Sequence, residues 1–332
     1  MINLNAKLAE IIFDKSKVEK KPTRDGYGTG LVEAGEKDKR VVVLCADLTE
    51  STRSQGFKDK FPDRFIEMGV AEQNMATVAS GMANYGKIPF ISSYAAFSPG
   101  RNNEQIRTTI AINNVPVKIA GAHAGVSVGP DGATHQQLED IALMRVMPRM
   151  VVIVPCDAIE AHKATVAAAA NGSPTYLRFG REKSSIMTTK ETPFEIGKAI
   201  IFREGKDVSI IGCGILLYNS LLAAEELAKE GIECEVINSH TIKPFDTETI
   251  VGSAKKTGAV VSVEEHQVNG GLGSVIAETL SKTHPIPQEF IGVQDHFGES
   301  GNSDELIEAF GMGVNSIKEA VRKVVQRKGS KL

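Results

Sequence analysis

Cysteine is scarce in this sequence: Cys45, Cys156, Cys213 and Cys234 lie far apart in 332 residues and form no CxxC pair. That scarcity speaks against a disulfide scaffold or a zinc framework and fits a reducing, cytoplasmic setting. Three of the four sit in apolar runs (VVVLCAD, VVIVPCD, SIIGCG), where a thiol behaves as a small hydrophobe. Charge of neither sign dominates. With 38 basic and 41 acidic side chains the net charge is −3, which leaves no electrostatic footprint for nucleic acid or an anionic membrane. Long apolar runs are also missing, so no signal peptide or membrane span is expected. The opening MINLNAKLAEIIFDKSKVEK reads as a short amphipathic lead-in. Internal repeats and low-complexity tracts are absent too.

What remains is the composition of an ordinary folded protein, 42% hydrophobic and 24% charged, long enough for two cores. Apolar, β-branched runs alternate with helical patterns, the rhythm of parallel βαβ units. Strands are expected at 40–47, 64–70, 88–94, 115–122, 150–156 and 174–180, and helices at 71–85, 99–112, 136–146 and 157–171. The helix over 71–85 is dense in Ala, Ser and Gly, which suits either tight internal packing or a subunit contact. The polar, aperiodic EKSSIMTTKETPFEIG (182–197) reads as an interdomain connection. The rhythm then restarts with strands at 207–214, 232–239 and 259–265 and helices at 215–230 and 274–281. The expected fold is α/β in two domains, 1–190 and 195–332, each a sheet with flanking helices.

Three segments stand out chemically. In GVAEQNMATVASGMA, Glu72 lies where a strand gives way to a helix. It is either a first-turn acid favoured by the helix dipole or a functional carboxylate at the active edge of an α/β sheet. In SYAAFSPGRNNEQIR, Phe97 sits on a loop after a strand, placed to stack on a flat ligand or merely to plug the sheet edge. AHAGVSVGPDGATHQQLED is a long glycine-rich loop bearing His123, Asp131, Thr134 and His135, able to hydrogen-bond or exchange protons with a hydroxylated substrate. Metal binding is the rival there, but the spacing matches neither HxxxH nor HExxH. GYGTG (26–30) is not a dinucleotide fingerprint, and NGGLG (269–273) is either an anion seat or a turn.

Taken in order, MGVAEQNMATVASGMA, SYAAFSPGRNNEQIR, GPDGATHQQLEDIALMR and IVPCDAIEA resemble transketolases, and VEEHQVNGGLGSVIAE resembles their C-terminal domain. The likeness covers roughly residues 20–325. It implies a thiamine-diphosphate enzyme that transfers a two-carbon glycolaldehyde unit from a ketose phosphate to an aldose phosphate. The family's diphosphate domain opens its metal motif with Gly-Asp-Gly, which this sequence lacks. The chain is therefore expected to be the pyrimidine-binding and C-terminal part of a split enzyme. A separate N-terminal subunit would hold the divalent metal (Mg or Ca), and this chain would also pair with itself. By resemblance, Glu72 activates the pyrimidine, Phe97 stacks on it and Asp47 lies near the cofactor. His123 and His135 contact substrate hydroxyls, and Asp131 reads the donor's stereochemistry. Arg24, Ser51 and Arg181 hold the sugar phosphate. The family's aromatic-rich loop departs here, with Ser98, Gly100 and Arg101 in place of further rings.

Other thiamine enzymes share AEQ before a small-residue helix: deoxyxylulose-phosphate synthase and the β chain of 2-oxoacid dehydrogenases. The synthase carries an aspartate context where this chain has His123, and the β chains lack DGxTHQ. A non-catalytic regulatory subunit of the same fold is the remaining alternative, and intact Glu72, His123, Asp131 and His135 speak against it. The physiological sugar, of the pentose phosphate route or of a specialised branched-sugar catabolism, is not encoded in these motifs.

Overall fold

The computed structural model describes residues 1–329. Its strands, in chain order, are β1 (Lys20–Pro22), β2 (Val41–Cys45), β3 (Phe65–Glu67), β4 (Ile88–Tyr94), β5 (Lys118–Ala122), β6 (Val151–Ile153), β7 (Thr175–Arg178), β8 (Lys183–Ser185), β9 (Ile200–Arg203), β10 (Val208–Gly212), β11 (Cys234–Asn238), β12 (Thr241–Lys243), β13 (Val260–Gln267) and β14 (Gln288–Val293). The first sheet has the order β12-β6-β7-β5-β4-β2-β3, parallel throughout except for β12. The second has the order β14-β13-β10-β11-β9, parallel except for β9. Strands such as VVVLC (β2) and KIAGA (β5) are buried along their whole length, as parallel sheets covered on both faces require. Two α/β units with parallel sheets and flanking helices follow from this order.

The strands start and stop close to the expected runs; most are shorter, β4 matches 88–94, and β13 runs on to Gln267. The helix expected over 71–85 is Glu72–Asn84 and that over 157–171 is Ala158–Ala170. The stretch 99–112 yields only Asn103–Gln105, which runs on into a wide π turn over Ile106–Ala111.

A helix not anticipated from the sequence spans Thr23–Lys37 and carries Gly26, Gly28, Gly30 and Gly35. Each glycine costs a helix roughly 1 kcal/mol relative to alanine, which is why the segment does not read as helical. Packing explains it. A Cβ at Gly26 would overlap the Ala158 carbonyl, and one at Gly30 would lie 2.7 Å from Thr165 Cβ. The helix therefore lies almost in contact with the backbone of Ala158–Ala170.

The stretch 182–197 is not wholly a connector, since β8 pairs antiparallel with β1. Two segments tie the units together. β12, which follows β11 of the second sheet, forms the edge of the first sheet against β6. The N-terminal lead-in goes the other way: Ile2 bridges Arg203, Asn3 bonds Ile201 and Phe202, and Ala6 and Ile12 are buried in the second core. No helix among the described residues is long and apolar enough to cross a membrane.

Candidate active site

The carboxyl ends of β2, β3, β4, β5 and β7 open on one side of the first sheet. Ligand sites in doubly wound α/β sheets form at that edge. Asp47 and Ser51 follow β2, Glu72 follows β3, Phe97 follows β4, His123 follows β5 and Arg181 follows β7. The topology thus gathers side chains that the sequence scatters from position 47 to position 181.

Glu72 opens the helix Glu72–Asn84 with its side chain 1% exposed. Arg101 Nη1 donates to its Oε2 at 2.7 Å, and Ser93 Oγ donates to Oε1 at 3.4 Å. Asn102 Nδ2 holds the Glu72 carbonyl at 3.1 Å. The same Arg101 guanidinium lies 4.5 Å from the centre of the Phe97 ring. Glu72 and Phe97 are therefore brought together, joined by a cation that the sequence motif shows only as a departure.

His123 is buried and adopts a left-handed φ of 55°. Its ring stacks on Tyr94 with centroids 3.8 Å apart, and its Nδ1 is buried without a hydrogen-bond partner. Burial, reinforced by the positive charges of Arg24 and Arg181, pushes its pKa down to about 3. It is a neutral imidazole with one ring nitrogen unused. Arg24 Nη1 reaches its Nε2 at 3.5 Å and donates to the Ser51 carbonyl at 2.7 Å, while Arg24 Nε is unpartnered. Ser51 thus contributes its backbone oxygen to fixing Arg24. Burial and the nearby Arg53 lower the Arg24 pKa, with Asp25 opposing them.

Across the loop, Arg181 donates to the Val128 carbonyl at 2.8 Å and lies 3.8 Å from Asp131 Oδ1. His135 bonds Thr134 Oγ1 at 2.9 Å and sets its ring edge-on to Phe97, centroids 5.4 Å apart. Phe97, Tyr94, His123 and His135 form one ring cluster. Asp47 is the outlier. Its side chain is exposed, and its backbone N–H donates to Glu67 Oε1 at 2.8 Å. Glu67 also receives Thr49 Oγ1 and the Gly69 N–H, so it fixes the turn around Asp47.

Sequence reasoning gave no role to Tyr94, to Arg101 beyond a departure from the family's loop, to Gln136, whose amide bonds the Val126 and Gly129 carbonyls, or to the distant Glu265, which accepts the Ser127 N–H. Tyr94 was legible in principle, being three residues before Phe97 at a strand end. Glu265 was not, since nothing local links β13 to a loop some 140 residues earlier. Among the described residues no group of three or more His, Cys, Asp or Glu side chains could hold a metal ion.

Residues 19–185 match the family model of the transketolase pyrimidine-binding domain, and residues 197–317 match that of the transketolase C-terminal domain. A subunit of 6-deoxy-6-sulfo-D-fructose transketolase (SqwH) from a Clostridium species is 42% identical, over 94% of this chain and 97% of that protein. A subunit of apulose-4-phosphate transketolase from Phocaeicola vulgatus is 34% identical, over 92% of this chain and 97% of its own length. A solved structure described as a split gene transketolase, inactive beta4 tetramer, superposes with a TM-score of 0.87 at 44% identity, covering 92% of this chain and 99% of its own.

Proposed function

Because the chain belongs to the transketolase family, we propose that it is the pyrimidine-binding and C-terminal subunit of a two-chain enzyme that moves a two-carbon ketol unit between anionic sugars. The family depends on thiamine diphosphate. The observation that carries the reading is a buried carboxylate, Glu72, linked through the Arg101 guanidinium to the Phe97 ring at the carboxyl edge of the first sheet, in a chain without Gly-Asp-Gly. We take 1–190 and 195–332 as its functional units. Cytoplasmic residence is part of the proposal, as four buried free thiols suit a reducing compartment.

The residues present fit the cofactor's pyrimidine. Phe97 offers a flat apolar face, and Glu72 offers a carboxylate shielded from bulk water, as proton exchange with a ring nitrogen requires. Glu72 Oε1, which among the described residues accepts only the long hydrogen bond from Ser93, is the oxygen left to hold that proton. Asp47 is the cofactor contact left to the family resemblance alone, since its side chain is exposed and makes no contact with Glu72 or Phe97 among those described. The metal and diphosphate fall to the partner subunit. When bound, thiamine diphosphate supplies a carbon nucleophile that also stores the electron pair released by C2–C3 cleavage. His123, kept neutral by its surroundings, and His135 bind and orient the sugar's hydroxyls, with His123 Nδ1 available as donor or acceptor. Asp131, steadied by Arg181, reads hydroxyl stereochemistry.

The Clostridium and Phocaeicola relatives act, by their names, on a sulfonated ketose and on a ketose phosphate. We infer the same substrate class here, with Arg24 and Arg181 holding the terminal oxyanion. Arg24 has no carboxylate partner among the described residues, so its charge is available. A charge-assisted bond of about 1.5–3 kcal/mol means that Arg24→Ala or Arg181→Ala should raise KM for an anionic acceptor roughly 10–100-fold. Glycolaldehyde, which has no anion to hold, should be little affected. An equal loss on both would show that the arginines serve structure. The reading as a whole is tested by assaying the chain alone and with its co-purified partner against a panel of donors and acceptors. Transfer by the pair and none by either chain is expected. Metal-dependent turnover by this chain alone would refute it.

A further inference from the structure

The loop 123–135 carries three of the proposed substrate contacts yet has little regular structure of its own. It makes one short 3-10 segment, Val126–Asp131, and turns through left-handed glycines at 125, 129 and 132. Such a segment needs external anchors to hold side chains in a fixed geometry. Arg181 of the first unit holds the Val128 carbonyl at 2.8 Å, and further anchors come from the C-terminal unit.

Glu265, on β13, is 4% exposed, and its Oε1 accepts the Ser127 N–H at 2.6 Å. That N–H belongs to the first turn of the 3-10 segment, so the carboxylate caps it from another domain. The fit is close. A Cβ at Gly125 would overlap the Glu265 carboxylate, so the loop is built around this group. Arg178 secures the base: its Nη2 donates to the Glu265 carbonyl at 2.8 Å and its Nε to Asp140 Oδ2 at 2.7 Å.

The far end of the loop is gripped as well. Gln136 Nε2 donates to the Glu299 carbonyl at 2.8 Å and to the Val126 and Gly129 carbonyls at 3.2 Å. A Cβ at Gly132 would meet Ser300 Oγ at 2.5 Å. Residues 298–301 therefore lie flush on the loop.

We propose that Glu265 is a positioning residue for the sugar substrate, through which the C-terminal unit sets the geometry of His123, Asp131 and His135. It touches neither sugar nor cofactor. Its carboxylate fixes Ser127, and Ser127 fixes the turn between His123 and Asp131. The inference rests on the reading of this loop as the substrate loop.

The test compares Glu265→Ala with Glu265→Gln in the two-chain enzyme. Removing an anchor bond of this kind should raise KM for the ketose donor about 10–100-fold. Amide exchange over 126–136 should accelerate by a similar factor. The dissociation constant for thiamine diphosphate should stay within about twofold, since Glu72 and Phe97 lie on other elements. The glutamine variant keeps an acceptor oxygen and should recover most of the loss. Unchanged loop exchange in Glu265→Ala would overturn the anchor itself. Faster exchange with unchanged sugar kinetics would overturn the proposal through the substrate reading. If Glu265→Ala fails to assemble, Gln136→Ala loosens the same loop from its other end and is judged by the same measurements.

Discussion

Glu72 shows how a neighbouring cation sets the state of a buried carboxylate before any ligand arrives. A carboxylate 1% exposed is costly to keep ionised unless a cation attends it, and Arg101, itself 44% exposed, supplies that charge. The guanidinium rests on Phe97 at the same time, so a flat cation spans the two groups proposed to hold the pyrimidine. Arg101→Ala should lower the stability of the isolated chain by about 1–2 kcal/mol in urea unfolding, less than a fully buried pair would lose. It should also tighten cofactor binding by the two-chain enzyme, because nothing then has to be displaced. Weaker binding would show that Arg101 helps to hold the cofactor. Glu72→Gln should leave folding intact and cut turnover at least about 100-fold, with loss of C2 proton exchange on the cofactor as the direct readout. His123 carries a pH signature. Its folded pKa of about 3 lies below the unfolded value near 6.5, so its contribution is full above pH 6.5 and drains away as pH falls towards 3. His240, pushed to about 3 by burial, adds to the same slope. Melting temperature should fall on acidification over this window, and His123→Gln should make the fall shallower. An unaltered slope would mean that the imidazole protonates freely in the folded chain.

At the scale of elements, legibility followed local regularity. β2, β5 and the helix Glu72–Asn84 announce themselves because their residues suit their own conformation. So do Glu72, Phe97 and His123 as features at strand ends. The helix Thr23–Lys37 does not, because its glycines answer to a neighbour and not to the helix. The same logic separates two substitutions that look alike in sequence. A Cβ at Gly30 would lie 2.7 Å from Thr165 Cβ, whereas one at Gly81 would meet nothing within 4 Å. Gly30→Ala should destabilise the chain by about 1–3 kcal/mol of overpacking, partly offset by helix propensity. Gly81→Ala should stabilise it by about 0.5–1 kcal/mol. Thermal unfolding of both variants decides, and equal effects would contradict the close helix contact. If Gly81→Ala stabilises the isolated chain but weakens assembly, the small-residue face of Glu72–Asn84 is a subunit contact.

The whole molecule was the least legible, because its two units exchange segments. β12 is three residues long, too short for any periodicity to reveal, and it completes a sheet whose other strands all precede residue 179. The opening 1–20 reads only as a short amphipathic lead-in, yet its first thirteen residues pack on β9 and the second core. A fragment ending at residue 195 should therefore not behave as an independent domain. It lacks the strand that covers β6, the sheet that receives the lead-in and the carboxylate that caps the segment Val126–Asp131. Expressed alone, it should be poorly soluble or show low protection over β6 in hydrogen exchange. A well-folded fragment with native protection there would show that the exchanged segments are dispensable.

The exchange of segments also sets an order of events during synthesis. The first thirteen residues emerge almost 190 positions ahead of β9, a delay of about 10–40 s at ordinary translation rates. β6, with the apolar sequence VVI, waits a further ninety positions for β12 and until then presents an open edge to other nascent chains. The ribosome thus releases a polypeptide whose earliest and middle parts both stay unfinished until its final third is made, so chaperone demand should peak before residue 243 clears the exit tunnel.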